Sequence, residues 1–218
     1  FNWQTPILLS SHNQDILYMG SEFLHRSMNQ GETWERISGD LTNGAKEGNV
    51  AFGTLTTISE SKFQFGLLYV GSDDGKIHVS KDGGASWQLI SGNLPQSLWV
   101  SRVTASTHKK ERVYATLNGY RNDNFESYAF VSDDFGTTWT SISNGLTQAV
   151  NVIVEDSANE NILYVGTDNG LFISLDKGAS WQDFSNGMPN VAVHDAVIQT
   201  KAKELIVGTH GRSLYKIE

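Results

Sequence analysis

A histidine–aspartate pair near the C-terminus carries the side chains best suited to chemistry. His194 and Asp195 adjoin each other, and His210 lies in the next predicted strand, near the same end. Imidazole and carboxylate groups placed together can bind a polar ligand, form an acid–base pair or hold a metal ion. Hydrogen bonding that fixes the end of the fold is the structural alternative. Asp195 and His194 are the only catalytic candidates. No complete catalytic set is visible, and we expect neither a metal nor a cofactor.

Charged side chains elsewhere suggest two further chemistries. Arg102, Arg121 and Arg212 are predicted to project from the same side of the fold. Arginines bind carboxylates through paired hydrogen bonds, so such a group could hold an acidic ligand. Glycoside hydrolysis instead needs two carboxylates about 5–9.5 Å apart across a cleft. The carboxylates predicted on this side, each a possible partner for Asp195, are Asp73, Asp74 and Asp123.

Composition excludes several classes of protein. The 218 residues carry a formal charge of −8 and contain no cysteine, which rules out disulfides, thiolate chemistry and cysteine-bound zinc. An acidic chain without a basic face does not fit nucleic-acid binding. No apolar run reaches the roughly 18 residues of a membrane-spanning helix. We expect a secreted, periplasmic or cell-surface protein and, because the chain begins at Phe1, the remainder of a longer parent chain as a partner.

An eight-residue segment, here called the box, occurs four times. It reads Ser-x-Asp-x-Gly-x-Ser/Thr-Trp at 80–87, 132–139 and 174–181, and the copy at 27–34 has Asn29 in place of the aspartate. The acidic side chain can accept hydrogen bonds from its own turn, and the glycine can adopt a positive φ. The tryptophan can cover the gap between neighbouring repeats. We therefore predict structural roles for Asn29, Trp34, Asp82, Trp87, Asp134, Trp139, Asp176 and Trp181.

Strand-like runs flank every box. The runs ILYMG, LLYVG, RVYAT and ILYVG precede the four boxes, and a fifth run, LIVGT, has no box after it. Short runs rich in Val, Ile and Tyr between turn residues are typical of β-strands. Four antiparallel strands in a unit of about 40–50 residues predict a propeller blade. We predict an all-β propeller of five blades, the last without its outer strand, at about 3–41, 52–94, 99–146, 149–188 and 192–218.

The boxes resemble the BNR, or Asp-box, repeats of sialidases, xyloglucanase-type glycosidases, sortilin-like domains and photosystem II assembly factors. The resemblance covers essentially the whole chain and implies the propeller fold, but these families share the box and differ in function. Sialidases hold a sugar carboxylate with three arginines, a role open here to the three arginines above. Tyr120 with Glu126 would be the corresponding nucleophile pair. The sequence has no Arg-Ile-Pro motif.

The predicted ligand surface is the propeller face opposite the boxes, here called the channel mouth. If the first strand of each blade lines the central channel, the loops that enter it and the loops between second and third strands meet there. The loop at 118–127 is about eight residues longer than its siblings, as binding loops often are, and we expect it to be flexible. The aromatic residues before first strands are either sugar platforms or packing between blades. The candidates at the channel mouth are Trp3, Phe52, Trp99, Arg102, Tyr120, Arg121, Asn151, His194, Asp195, His210 and Arg212.

We therefore expect a non-catalytic scaffold that binds a protein or a glycan at the channel mouth. The rival interpretation is a secreted glycoside hydrolase, or part of one, acting on a polysaccharide or a sialoglycan. A third is an assembly or sorting factor that binds peptides. Residues 1–218 form either a single propeller domain or a segment of a larger propeller protein. Nucleic acids and membranes are not among the expected partners.

Overall fold

The chain folds as a β-propeller, as the repeats predict. The computed structural model describes residues 1–44, 52–185 and 187–217. Its strands form five separate antiparallel sheets, each built from consecutive strands in chain order. Four sheets have four strands and the last has three, so the predicted absence of an outer strand in blade five is confirmed.

Each blade is a meander whose first strand packs against the first strand of the next blade. Blade one contains β1 (Ile7–Leu9), β2 (Leu17–Gly20), β3 (Leu24–Ser27) and β4 (Glu35–Arg36). Blade two contains β5 (Leu55–Glu60), β6 (Leu68–Ser72), β7 (Ile77–Ser80) and β8 (Gln88–Leu89). Blade three contains β9 (Trp99–Ala105), β10 (Val113–Gly119), β11 (Asn124–Ser132) and β12 (Thr140–Ser141). Blade four contains β13 (Val150–Glu155), β14 (Leu163–Thr167), β15 (Gly170–Ser174) and β16 (Gln182–Asp183). Blade five contains β17 (Val193–Gln199), β18 (Glu204–Thr209) and β19 (Leu214–Ile217).

The core lies between neighbouring blades, and glycines in the second strands allow the blades to approach. A Cβ added at Gly71 would collide with Val100, and one at Gly166 would collide with Val193. Both valines lie at the start of the first strand of the following blade and are fully buried. A side chain in place of either glycine would push the blades apart, which explains a glycine next to the last residue of these second strands.

The box turns share one hydrogen-bonding pattern. The Asp82 carboxylate accepts hydrogen bonds from the Ser86 backbone N–H at 2.9 Å and from the Ser86 hydroxyl at 2.6 Å. The Gly84 N–H donates to Ser80 Oγ at 2.8 Å, and Gly84 has a φ of 97°. The Ser86 bonds hold the pKa of Asp82 below its ordinary value. Asn29 accepts the equivalent backbone bond at 2.9 Å, so asparagine preserves the turn.

The box tryptophans join each blade to the preceding one. Each donates its indole N–H to a backbone carbonyl of the blade before it: Trp87 to Ile37 at 3.1 Å, Trp139 to Ile90 at 2.8 Å and Trp181 to Ile142 at 2.7 Å. No blade precedes blade one within the described residues, and there Trp34 donates to Gly31 of its own turn at 3.0 Å. The box therefore closes a turn and contributes to the contact between blades.

The long connection at 118–127 extends the hairpin formed by β10 and β11. Strand β10 continues to Gly119, a 3-10 turn covers Tyr120–Asn122, and β11 begins at Asn124. Asp123 turns the chain with a left-handed φ of 52°. No helix in the described ranges has the length and apolar composition needed to span a membrane.

The expectation of packing between blades is wrong for Trp3. Its side chain is 98% exposed, and Ile7 and Leu9 of β1 are also exposed. The physical reason is that, within the described residues, no blade lies against this side of blade one.

Candidate functional site at the channel mouth

A cavity of about 770 Å³ opens at the channel mouth. The starts of first strands and the turns after second strands form its wall. Most of the predicted ligand residues line it: Trp99, Arg102, Tyr120, Arg121, Asn151, His194, Asp195 and His210. Trp3, Phe52 and Arg212 are not part of the wall. The fold thus brings together side chains from blades three, four and five that are far apart in the sequence.

An ion pair crosses the channel from blade three to blade five. Arg102 Nη2 on β9 lies 2.7 Å from Asp195 Oδ1 on β17. The Asp195 side chain is 68% exposed and that of Arg102 is 32% exposed. Arg102 Nε is buried and has no partner among the described residues. Asp195 is therefore already paired with Arg102. Arg102 keeps one hydrogen-bond donor, Nε, without a partner among the described residues.

Arg121 is held by two aromatic rings from different blades. Its guanidinium carbon lies 4.2 Å from the centroid of Trp99 and 4.9 Å from that of Phe52. Its Nη1 lies 3.5 Å from Asp73 Oδ2. Burial raises the pKa of Asp73, against the hydrogen bond from the Thr54 amide. The two ring faces are thus used by a cation of the protein itself, as expected for a cation–π contact.

The three arginines do not converge on one point. Arg102 is paired across the channel, Arg121 is stacked on aromatic rings, and Arg212 is exposed outside the cavity wall. Tyr120 is exposed and meets Phe125 edge to face, at 6.4 Å between ring centroids. Glu126 accepts a hydrogen bond from the Tyr128 hydroxyl at 2.8 Å. This arrangement does not support a three-arginine clamp.

A chain of polar side chains joins blades three and four below the rim of the cavity. The Asn118 amide donates to Asn151 Oδ1 at 2.8 Å, and the Asn151 amide donates to Asp168 Oδ1 at 2.8 Å. Asn118 and Asp168 both line the cavity. Sequence reasoning did not single out either residue. Asn118 begins the loop at 118–127 and Asp168 lies in a predicted hairpin turn, where Asn and Asp are common for local reasons, so only their contact with Asn151 marks them.

The histidines of blade five form a close pair. The ring centroids of His194 and His210 are 5.2 Å apart. Burial, followed by the charge of His210, lowers the pKa of His194. Across the described part of the chain, no group of three His, Cys, Asp or Glu side chains is placed to hold a metal ion. The pair contributes two neighbouring imidazole rings to the cavity wall.

Comparison with known proteins identifies a family for this chain. The Sortilin-Vps10 family (sortilin, neurotensin receptor 3) matches residues 22–150, more than half of the chain. The chain belongs to the Sortilin-Vps10 family. No curated protein sequence matches it.

Solved structures share the propeller fold at low sequence identity. The Niastella koreensis GH74 enzyme superposes with a TM-score of 0.73 and 19% identity, over 97% of this chain and 36% of that one. The GH74 xyloglucanase from Xanthomonas campestris gives 0.73 and 17%, over 99% of this chain and 36% of that one. YCF48 bound to D1 peptide gives 0.65 and 14%, over 94% and 60%. The chain thus spans about a third of the length of the two GH74 proteins.

The Sortilin-Vps10 match ends inside the site. Trp99, Arg102 and Arg121 of blade three lie within residues 22–150. Asn151 and the histidine–aspartate group of blade five come after it. Half of the cavity wall therefore belongs to the part of the chain that the family match does not cover.

Proposed function

We propose that this Sortilin-Vps10 protein is a non-catalytic scaffold that binds a protein or glycan partner at the channel mouth. The observation that carries the proposal is the convergence of non-repeating polar and aromatic side chains on one cavity of about 770 Å³. A concave site with a few fixed polar groups is the usual form of a ligand site. Box turns of Asp-box type provide the repeated frame that holds these side chains.

The state of the acidic side chains favours binding over catalysis. Asp195 is paired with Arg102, and Asp168 accepts a hydrogen bond from Asn151. Asp73 and Asp74 are buried, and both accept hydrogen bonds from backbone amides. A glycosidase pair needs one carboxylic acid and one carboxylate free to act on opposite sides of a sugar ring. Each of these four carboxylates already supports the fold.

Peptides are the partners that the relatives favour. The chain belongs to the family of sortilin and neurotensin receptor 3, and YCF48, bound to D1 peptide, shares its fold. The extracellular domain of the one-component system BT4673 from B. thetaiotaomicron also shares it, with a TM-score of 0.65. We propose an extracellular location on this basis. That the chain is one segment of a larger propeller protein stays a prediction.

Screening with a random peptide library and a glycan array tests the proposal. The array should include xyloglucan, β-glucan and sialylated oligosaccharides. We expect Tyr120→Ala and Arg121→Ala to weaken binding of a selected probe at least ten-fold. The matched control is Phe63→Ala, which removes an exposed ring from the face that carries the boxes. Binding that both channel-mouth substitutions leave unchanged would contradict the proposal.

Glycoside hydrolysis is the second candidate function. It is favoured by the presence of Asp168 and Asp195 in one cavity and by the fold shared with GH74 enzymes. Turnover of xyloglucan or sialyllactose that disappears in Asp195→Asn would establish it and overturn the non-catalytic interpretation. Turnover that survives in Asp195→Asn would place the chemistry on other residues.

A further inference from the structure

A second cavity, of about 990 Å³, opens between blades one and two beside the box of blade two and is here called the box-face cavity. Its wall combines the end of blade one with the box and one loop of blade two. Three residues of this wall, Arg26, Phe65 and Gly83, differ in type from their equivalents in the other three complete blades. The box-face cavity therefore departs from the repeat, as the residues of the channel mouth do.

Gly83 leaves open a space that a phenylalanine fills between blades two and three. Gly83 and Phe135 both stand between the aspartate and the glycine of their box, and both have a left-handed φ, of 73° and 61°. The Phe135 ring packs against the apolar cluster that joins blades two and three, with Lys81 Nζ of blade two 4.1 Å from its centroid. A Cβ added at Gly83 would have Arg26 Nη1 of blade one as its nearest neighbour, at 3.7 Å. The chain thus fills this position with an aromatic ring at one interface and leaves it open at the interface before.

Arg26 supplies a fixed cation at the edge of the open space. Its Nε and Nη2 donate to Glu35 Oε1 of blade one, and its Nη1 donates to the Gly83 carbonyl of blade two at 3.2 Å. These hydrogen bonds lie in the plane of the guanidinium, so its face remains available to stack on an aromatic ring. The equivalent residues of blades two, three and four are aliphatic: Val79, Val131 and Ile173. Among the four complete blades, only blade one thus offers a cation–π contact from this position.

Aromatic rings form another part of the wall. Phe65 is 43% exposed and stands four residues before the second-strand tyrosine, where the other complete blades have polar residues: Gln14, Lys110 and Glu160. Its ring meets His12 edge to face, at 5.9 Å between ring centroids. His78 and the half-buried Trp87 also line the cavity. An exposed apolar side chain beside a concave space is typical of an interaction site.

We propose that the box-face cavity binds an aromatic side chain presented by a partner polypeptide. The ring enters the space beside Gly83, in the position that Phe135 takes at the next interface, and stacks on the guanidinium of Arg26 next to Phe65. The occupant within the chain itself identifies the chemistry, because the equivalent space accepts a phenylalanine covered by a cation. The site lies on the face opposite the channel mouth, so it goes beyond the function proposed above and is tested separately from it.

A sugar is the competing occupant, because sugar rings also stack on aromatic side chains. Sugar hydroxyls, however, need polar groups that are free to bond them. The carboxylates of the wall are engaged in their own turns: Asp40 accepts from the Thr42 amide at 2.9 Å, and Asp82 accepts from the Ser86 amide at 2.9 Å. The wall therefore favours a ring without hydroxyl groups.

Titration of the isotope-labelled whole chain with N-acetyl-phenylalanine amide, followed by NMR, tests the proposal. We expect saturable shifts of the Gly83 amide and the Trp87 indole signals, with N-acetyl-leucine amide bound at least five-fold more weakly. Arg26→Val, which copies blades two and three, should weaken binding of the phenylalanine probe at least three-fold through loss of the cation–π contact. The matched control is Phe63→Ala, which removes an exposed ring of the same loop outside the cavity wall and should leave the affinity unchanged. Equal affinity for the two probes, or full affinity in Arg26→Val, would overturn the proposal.

Gly83→Phe supplies the missing ring from the protein itself. The equivalent residues of the other boxes, Gln30, Phe135 and Lys177, all have a left-handed φ of 60–61°, so the turn accepts a side chain there. We expect the variant to keep the melting temperature of the unmodified chain and to lose binding of the phenylalanine probe. Lys177→Phe, the same change at the box of blade four, is the matched control and should leave probe binding intact. Probe binding that survives in Gly83→Phe, or a large fall in its melting temperature, would show that the space is not the binding site and overturn the proposal.

Two further results would assign the cavity to another occupant. Cellobiose that shifts the same signals with higher affinity than the phenylalanine probe would make it a glycan site. A dimer of the chain that Gly83→Phe dissociates would make a second copy the occupant. Either result would overturn the proposal, and neither bears on the channel mouth.

Discussion

The arginines of the channel mouth are fixed by different kinds of contact. Arg102 is held at one end by Asp195, and both partners remain partly open to solvent. Arg121 is held over two rings and beside a buried carboxylate, so its position depends on three contacts from two blades. We therefore expect Arg121 to be the more rigid of the two cations, with Arg102 better able to exchange its partner for a ligand.

A half-buried histidine predicts a loss of stability in mild acid. His78 on β7 has an Nδ1 without a partner among the described residues. Burial, and then the charge of Lys76, lowers the pKa of His78 from 6.5 to about 4, while Asp74 acts in the opposite direction. The unfolded chain therefore binds this proton at a higher pH than the folded protein does. The stabilising contribution is complete above about pH 6.5 and is lost as the pH falls towards 4.

The measurement is the free energy of unfolding in urea at a series of pH values. A shift of this size corresponds to a loss of up to about 3 kcal/mol between the two limits. We expect His78→Gln to flatten the decline over that interval, whatever its effect at neutral pH. An unchanged slope in the variant would show that other groups cause the acid sensitivity.

Glycines in the second strands leave room for side chains of the blade that follows. Gly166 accommodates Val193, whereas Gly208 at the equivalent position of blade five meets only atoms of its own blade, at ordinary contact distances of 3.6 Å. The repeated glycine is therefore under packing constraint in blade four and free of it in blade five.

This difference gives a matched pair of substitutions. We expect Gly166→Ala to destabilise the protein by about 1–3 kcal/mol, because overpacking displaces β17 from β14. Gly208→Ala should change stability by less than about 0.5 kcal/mol, as for an unconstrained surface substitution. Urea unfolding of both variants checks the prediction. Equal losses would mean that Gly208 is also covered in solution.

At the scale of the whole molecule, contacts run mainly from each blade to its neighbour, and the Arg102–Asp195 pair is an exception. It links blades three and five across the channel, past blade four. Among the described residues, Ile7 of the first blade and Val197 of the last blade are exposed. The ion pair therefore joins two blades that are not neighbours.

A double-mutant cycle on Arg102→Ala and Asp195→Ala measures the coupling free energy of this ion pair. Because both side chains are partly exposed, we expect a coupling free energy below about 1 kcal/mol. The local effect should be larger than the global one: amide hydrogen exchange in β17 should be faster in either single variant, with the exchange of β5 unchanged. Uniformly faster exchange in all blades would contradict a local role for the pair.

The repeating part of this protein could be predicted from its sequence, and the site could be predicted only in part. The box turns could be predicted because their hydrogen bonds close within eight residues, as from Gly84 to Ser80 and from Ser86 to Asp82. Blade number followed from counting the strand-like runs, the fifth of which has no box after it. Candidate residues of the channel mouth could be predicted because they do not repeat from blade to blade. The side chains that they contact could not be predicted. The long connection at 118–127 could be located from the sequence, but its composition alone does not show how far β10 and β11 continue into it.

Tertiary structure alone decided which nominated side chains meet. Arg102 pairs with a carboxylate 93 residues away, and Arg121 stacks on rings from two blades. Such contacts depend on the angle between neighbouring blades. Packing of the buried valines against the glycines of the second strands sets this angle. Burial is decided in the same way: Leu171 of β15 is buried beside a fourth strand, and Leu214, at the equivalent position of β19, is 72% exposed because the described residues place no fourth strand next to it.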